Sequence, residues 1–359
     1  MNRKKRTATM IALLLAGALA VSLFFSRIIR YPESAGAGDP FAGKELKCAL
    51  NIGRTDDSTR ILITGYNYAL LKAFASDLHG TAAIIPARDR TLNLTDSLRA
   101  GAIDILVLPY RTGMTAPEGT LASVPIDSLS VWLVGGNKLH GLRDINGWLK
   151  KYARSPLHDK MERTYIQAIY DPFLLVESGK TRKELSPYDS LYKAYAPSLG
   201  WDWRMLAALS FKESKFRLDA HSHMNAFGLM QVGESTAAKY GLTDQLEPEG
   251  NIRTGVKYLS FLQGVFAKRL PAGASSDLTK FVLAAYNGGE GRLLDCIEFA
   301  QRLHVYDSTW ACLQHLPDIA QMSHVTTDSL DMRKYNLGQI SGYVNDVLDT
   351  YAAFRTICP

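Results

Sequence analysis

Cysteine is scarce in this chain: four residues in 359, too few to staple a fold of this length. They fit an oxidising compartment without demanding disulfides. Cys296 and Cys312 stand closest, four cysteines allow three pairings, and four buried thiols read equally well. Their spacing matches no zinc pattern and the eight histidines do not cluster around them, so no metal centre is expected. Low-complexity tracts and internal repeats are also missing. An excess of positive charge exists only in one place. Of 41 basic residues, six (Arg3, Lys4, Lys5, Arg6, Arg27 and Arg30) precede residue 31; the remaining 35 balance 35 acids. A formally neutral body gives no support to a nucleic-acid-binding surface.

What the first thirty residues do contain is a basic start followed by Ala8–Phe25, eighteen residues without charge. Such a run is long for a signal-peptide core and just long enough to span a bilayer. Positive charge held on the cytoplasmic side would put everything after it outside the inner membrane. We read residues 1–30 as an anchor, with a cleaved signal as the alternative, since the small-residue site Ala35-Gly36-Ala37 lies well past the run. No cysteine follows the run to carry a lipid. Residues 31–45, rich in Pro, Gly and small side chains, form a linker. The expected location is periplasmic.

From Leu46 strand and helix signals alternate. Leu46–Ile52, Ala82–Ile85, Ile103–Leu108 and Val131–Val134 read as strands; Tyr66–Leu78 and Leu94–Ala100 read as helices. The alternation predicts an α/β layer with a largely parallel sheet over 46–180. From Ser186 to residue 359 helical patterns dominate: Trp201–Lys215, Thr254–Ala267, Leu278–Tyr286, Gly291–Leu303 and Ile340–Phe354. The predicted fold is therefore α+β and multidomain, with an all-α C-terminal domain.

On the Trp201 helix, Trp203, Leu206, Ser210 and Glu213 recur at helical spacing and share one face. A carboxylate ending an apolar stripe has two readings. It swings to solvent and pairs with Lys212 or Lys215, or it faces a cleft whose apolar wall keeps it protonated as a general acid.

Its company decides between them. Glu213-Ser214-Lys215-Phe216 is followed by Ala220 and Ser222, Gly228-Leu229-Met230-Gln231, Asn251-Ile252 with Gly255 and Tyr258, Ala285-Tyr286-Asn287-Gly288-Gly289, and Tyr343-Val344. In this order and spacing the set resembles the catalytic domain of the soluble-lytic-transglycosylase family, which has a lysozyme-like helical fold. Ser186-Pro187-Tyr188-Asp189 and Gly200-Trp201-Asp202-Trp203 resemble the start of that domain in membrane-bound members that join it to a solute-binding-like domain. Tyr66–Gly80 and Asp96–Pro109 are similar to segments of one lobe of periplasmic amino-acid-binding proteins. Only about fifty residues, Lys138–Ser186, follow the last strand, too few for a second lobe. The N-terminal domain is thus expected as a single, shortened lobe that docks rather than binds a small ligand.

The resemblance implies these roles. Glu213 is the catalytic carboxylate. Ser222 faces it, Gln231 contacts substrate amide or hydroxyl groups, and Tyr286 and Asn287 line the cleft. Ser214, Gly228, Met230 and Tyr343 support them, while Leu229 and Tyr258 belong to the core. It implies no metal and no cofactor, and peptidoglycan glycan strands as substrate; the leader adds contact with the membrane, and the single lobe a cell-wall protein as the expected partner of the N-terminal domain. The sequence departs from the family pattern at Arg217-Leu218, Asn225, Gly233-Glu234 and Gly288. The implied reaction cleaves the bond between N-acetylmuramic acid and N-acetylglucosamine and leaves 1,6-anhydromuramic ends. Two rivals stay open: a hydrolytic muramidase, for which Glu234 is the one local second carboxylate, and a non-catalytic glycan-binding sensor.

Overall fold

The computed structural model describes residues 40–50, 62–86, 93–169, 171–270, 275–316 and 337–359. The leader read in residues 1–30 lies outside them. Among the described residues no helix is long and apolar enough to cross a membrane.

The N-terminal layer is one sheet of five strands: β1 (Glu45–Leu50), β2 (Thr81–Pro86), β3 (Ile105–Pro109), β4 (Thr120–Ala122) and β5 (Ser130–Gly135), in the order β2-β1-β3-β5-β4. Helices α1 (Ile63–Asp77) and α2 (Leu94–Arg99) carry the crossovers that make β1, β2 and β3 parallel. The expectation of a largely parallel sheet is corrected here. β5 runs antiparallel to both β3 and β4, because no helix lies between β3 and β5, and a parallel return needs a long crossover whereas an antiparallel one does not. β4 had no strand signal of its own, being three residues long.

Asn67 on α1 is wholly buried and bonded through both ends of its amide. Its Oδ1 accepts from Ser130 Oγ at 2.9 Å and Trp132 Nε1 at 3.1 Å, and its Nδ2 donates to the Ile63 carbonyl at 3.1 Å. Beneath the sheet, Phe74 meets Phe41, Trp132 and Trp148 edge-on at centroid distances of 6.1, 5.6 and 5.5 Å. Such pairs add about 0.5–1.5 kcal/mol each beyond area burial.

A helical link comes next: α3 (Leu139–Tyr152), α4 (Pro156–Met161), a wide turn at Glu162–Ile166, and α5 (Pro172–Glu177). It joins the sheet to the helical half of the chain. His158 on α4 bonds Asp127 in the β4–β5 hairpin at 2.9 Å, and the Tyr66 hydroxyl donates to the same carboxylate. No second lobe is built from this stretch. Instead α1 lies against the helical part: a Cβ on Gly65 would stand 2.7 Å from the Tyr188 hydroxyl and 3.0 Å from the Tyr165 ring. Phe41–Pro359 is accordingly one compact unit.

The helical part comprises α6 (Asp189–Tyr195), α7 (Trp203–Ser214), a two-stranded ribbon β6 (Ala226–Phe227) with β7 (Val232–Gly233), α8 (Glu234–Tyr240), α9 (Pro248–Ala267), α10 (Ser275–Gly288), α11 (Glu290–Arg302), α12 (Trp310–Gln314) and α13 (Leu337–Ile357). α7 starts where Asp202 caps it, accepting from Arg204 N at 2.9 Å. The Arg204 side chain then spans Asp202 and the Cys358 carbonyl at 2.9 Å, fastening the start of α7 to the end of α13. α7 stops at Lys215 and Phe216, with φ of 53° and 62°. Two non-glycine residues in the left-handed region cost free energy. Phe216 offsets that cost by wholly burying its ring among Tyr192, Phe211 and Phe354. The four cysteines are all buried and free.

Candidate active site

Glu213 lies in the last turn of α7, half-buried, beside α13. Its Oε1 accepts a hydrogen bond from the Tyr343 hydroxyl. Burial pushes the Glu213 carboxyl up to about 7, against the smaller opposing pull of the Tyr343 bond and the Lys212 charge. Of the two sequence readings, the solvated ion pair does not form: Lys212 pairs with Asp346, and Lys215 lays its ammonium 4.1 Å from the Phe211 ring centroid. Among the described residues Glu213 therefore has no direct ion-pair partner. A carboxyl in that state is half protonated near neutral pH and can give or take a proton.

The loop from Ala220 to Gly233 lies beside α7. Ser214 Oγ contacts the Ser210 and Leu229 carbonyls at 2.9 Å each, and Ser210 Oγ donates to the Leu229 carbonyl at 3.0 Å. The Tyr192 hydroxyl donates in turn to Ser210 at 2.6 Å. Gly228 has φ of 76°, and a Cβ there would stand 2.3 Å from Asn251 Nδ2. The side chain that Gly228 lacks leaves room for the one that holds the loop. Asn251, wholly buried on α9, donates to the Phe227 carbonyl at 3.1 Å and accepts from Met230 N at 2.8 Å. Sequence reasoning noted Asn251 in the motif but gave it no role; a buried asparagine four residues into a helix beside a glycine loop was the available signal. Met230 packs toward Gly255, where a Cβ would stand 2.9 Å from its own Cβ.

Tyr286, on α10, donates its hydroxyl to the Met230 carbonyl at 2.6 Å, and burial first, then the Glu213 charge, push its pKa far up. Its proton is thereby committed and its remaining lone pair is not. Gln231 sits at φ of 46°, and both N–H groups of its amide are used, on the Ala220 and Gly228 carbonyls at 3.0 and 3.1 Å. Only its carbonyl oxygen is left for a ligand. Ser222 folds its hydroxyl into its own turn, accepting from Met224 N at 3.2 Å and Ala226 N at 3.1 Å; the hydroxyl proton stays available to donate. Asn287 is exposed. Glu234 is exposed as the first residue of α8.

Tyr258 departs from the expectation of a core residue. Leu229 is wholly buried, but Tyr258 is only partly so and packs on Tyr286 at 5.6 Å between centroids. Its hydroxyl is pushed up to about 12 by burial, then by the charges of Glu290 and Tyr240. Among the described residues, no group of three or more His, Cys, Asp or Glu is arranged to hold a metal.

Comparison with known proteins agrees with the helical half of this picture. Membrane-bound lytic murein transglycosylase F of Marinobacter nauticus is 36% identical over 143 residues, 40% of this chain and 28% of that protein. The enzyme of the same name from Pseudoalteromonas translucida is 38% identical over 130 residues, 36% of this chain and 27% of that protein. The chain thus spans well under half the length of these curated relatives. Among solved structures, the soluble lytic transglycosylase SLT70 of Escherichia coli covers 48% of the chain at 22% identity, with a TM-score of 0.35 and 25% of its own chain covered. Residues 190–305 match the transglycosylase SLT domain family. Glu213, the loop after it and Tyr286 fall inside that stretch, Tyr343 beyond it; the C-terminal region of this chain contains a transglycosylase SLT domain.

Proposed function

We propose that this protein is a peptidoglycan lytic transglycosylase. Glu213 is its catalytic acid and base, and cleavage between N-acetylmuramic acid and N-acetylglucosamine leaves 1,6-anhydromuramic ends. The observation that carries the reading is the single half-buried carboxyl of Glu213, poised near neutral pH and held by Tyr343. Glycosidases of the usual kind need two carboxylates flanking the bond. One suffices when the 2-acetamido group of the substrate stabilises the oxocarbenium-like centre. Protonated Glu213 gives its proton to the glycosidic oxygen; as carboxylate it then takes the proton of the muramoyl C6 hydroxyl, whose oxygen closes on C1. Tyr286, its own proton given to the Met230 carbonyl, turns a lone pair toward the developing positive charge. Gln231 accepts from the substrate through its free carbonyl oxygen, Ser222 donates its hydroxyl proton, and Asn287 lines the rim. We read the helical domain as lysozyme-like and the N-terminal layer as a docking lobe. The basic, then uncharged, start of the sequence supports export to the periplasm, and the word membrane-bound in the relatives' names supports attachment to a membrane.

Mass analysis of products from purified peptidoglycan tests the reading. Anhydromuramic ends, one water lighter than hydrolytic ends, are expected. Reducing ends carrying ¹⁸O from solvent would make the enzyme a muramidase and bring Glu234 into the mechanism; no release at all would leave a glycan-binding sensor.

A further inference from the structure

The chain joins its fold at α3. Phe41 is almost wholly buried there: a Cβ on Gly141 would stand 2.5 Å from its ring, and Lys138 Nζ lies 5.9 Å from the ring centroid. Lys151 stands ten residues beyond Gly141 on the same helix, about 15 Å at the rise of an α-helix. With it begins a basic stretch. Residues 150–163 hold five cations, Lys150, Lys151, Arg154, Lys160 and Arg163, against two acids, Asp159 and Glu162. All five are exposed, and none has an acidic partner among the described residues. The two acids bear on His158 instead. Asp159 stands 3.8 Å from its Nδ1, and its pKa is raised first by the Asp127 bond and further by the Glu162 charge. Leu149 and Tyr152 take the buried side of α3, which leaves Lys150 and Lys151 on the outer one.

Beyond residue 30 the chain carries equal numbers of bases and acids, so this stretch is a local concentration of one sign. Cations that pair with nothing in the fold are free to attract an anionic surface. Fourteen residues separate Phe25, the end of the uncharged run, from Pro40, and fourteen residues reach at most roughly 50 Å. A body connected so closely, and joined at one end of α3, keeps the basic end of that helix within reach of a bilayer. We propose that Lys150, Lys151, Arg154, Lys160 and Arg163 form a docking face for the anionic phospholipid headgroups of the membrane that holds the leader. Basic clusters beside an anionic leaflet are attracted within a Debye length of it. Covalent connection raises the effective concentration, so a face too weak to capture lipid from free solution suffices. The folded body is then held to the bilayer at a second point. This rests on reading the leader as a membrane segment and adds to it a contact made by the body itself.

The test uses the full chain with vesicles of phosphatidylcholine alone or of phosphatidylcholine mixed with phosphatidylglycerol. A water-soluble acylating reagent marks exposed lysines, and mass spectrometry reads each one. Lys150, Lys151 and Lys160 are expected to react at least about threefold more slowly with the anionic vesicles than with the neutral ones. Lys257, exposed on α9, should react alike with both. The protection should vanish in about 1 M salt, where the Debye length falls to roughly 3 Å. Arg154→Gln with Arg163→Gln keeps the three reporter lysines and should lower their protection. Equal acylation with the two kinds of vesicle overturns the proposal, and so does equal protection of Lys257. Protection that needs no lipid and grows with protein concentration overturns it too, giving the face to a second copy of the chain. Flotation with neutral vesicles tests the leader separately. A chain that floats without lysine protection keeps the anchor and loses the docking face. One that stays behind, yet is protected by anionic vesicles, does the reverse.

Discussion

The Tyr343 hydroxyl donates to Oε1 of Glu213 across 130 residues of sequence. This bond favours the ionised carboxylate, while burial, the larger effect, favours the protonated form. A general acid must hold its proton, so kcat/KM on peptidoglycan should fall as pH rises through about 7. Tyr343→Phe removes the donor and should move that descending limb to higher pH. It should also slow turnover by roughly ten- to a hundredfold through loss of orientation. A pH–rate profile of the variant whose limb stays in place would show that Tyr343 does not set the Glu213 proton affinity.

The same carboxyl predicts a stability change of definite sign. Below about pH 4.5 it is protonated folded and unfolded alike. As pH rises toward about 7 the unfolded chain releases a proton that the folded state retains, so stability falls, and above that the full penalty remains. Glu213→Gln should therefore stabilise the fold above pH 7, by on the order of 2 kcal/mol, and change little near pH 4. Urea titrations at the two ends of this range check it.

Gly228 and Asn251 make one clamp. Gly228→Ala meets both a φ of 76° and an amide nitrogen 2.3 Å from the new methyl carbon. We expect a loss of about 2 kcal/mol or more and a displaced Gln231. Asn251→Ala frees the Met230 N–H and the Phe227 carbonyl and should cost about as much. A Gly228→Ala melting curve coincident with wild type would refute the clamp.

His158 offers an acid-side test of the sheet's anchor. Its hydrogen bond to Asp127 raises its pKa above 6.5. The stability this confers is fully present below pH 6.5 and is lost as pH rises through the raised folded value. The Tm deficit of His158→Gln should consequently widen between pH 8 and pH 6. A deficit that stays constant would assign His158 a packing role alone.

Much of this was legible because period and motif are local properties. The stripe ending at Glu213 marked α7, and short apolar runs marked four of the strands. Strand direction was not legible, since the residues of β5 are as apolar as those of a parallel strand and only the missing crossover helix sets its sense. Orientation within the loop was also hidden. Nothing in the residue types says that Gln231 commits its amide protons to Ala220 and Gly228, or that Ser222 turns its oxygen toward its own backbone. These depend on left-handed φ values at Asn225 and Gln231. Tyr258 was assigned to the core because an aromatic at helical spacing normally is; the surface it shares with Phe261 depends on α8, which sequence periodicity did not mark.

The fastening of α7 to α13 through Arg204, Cys358 and Tyr343 bears on when a newly made chain becomes active. Tyr343 leaves the ribosome 130 residues after Glu213, a delay of roughly ten seconds at ordinary rates of synthesis. Until α13 arrives, the carboxyl lacks the wall that shields it from water and titrates as an ordinary glutamate, ionised at neutral pH. A chain interrupted after residue 305 but short of α13 would contain the whole matched stretch yet lack the Tyr343 contact and the α13 wall at its carboxyl, so such a truncated product is expected to be inert.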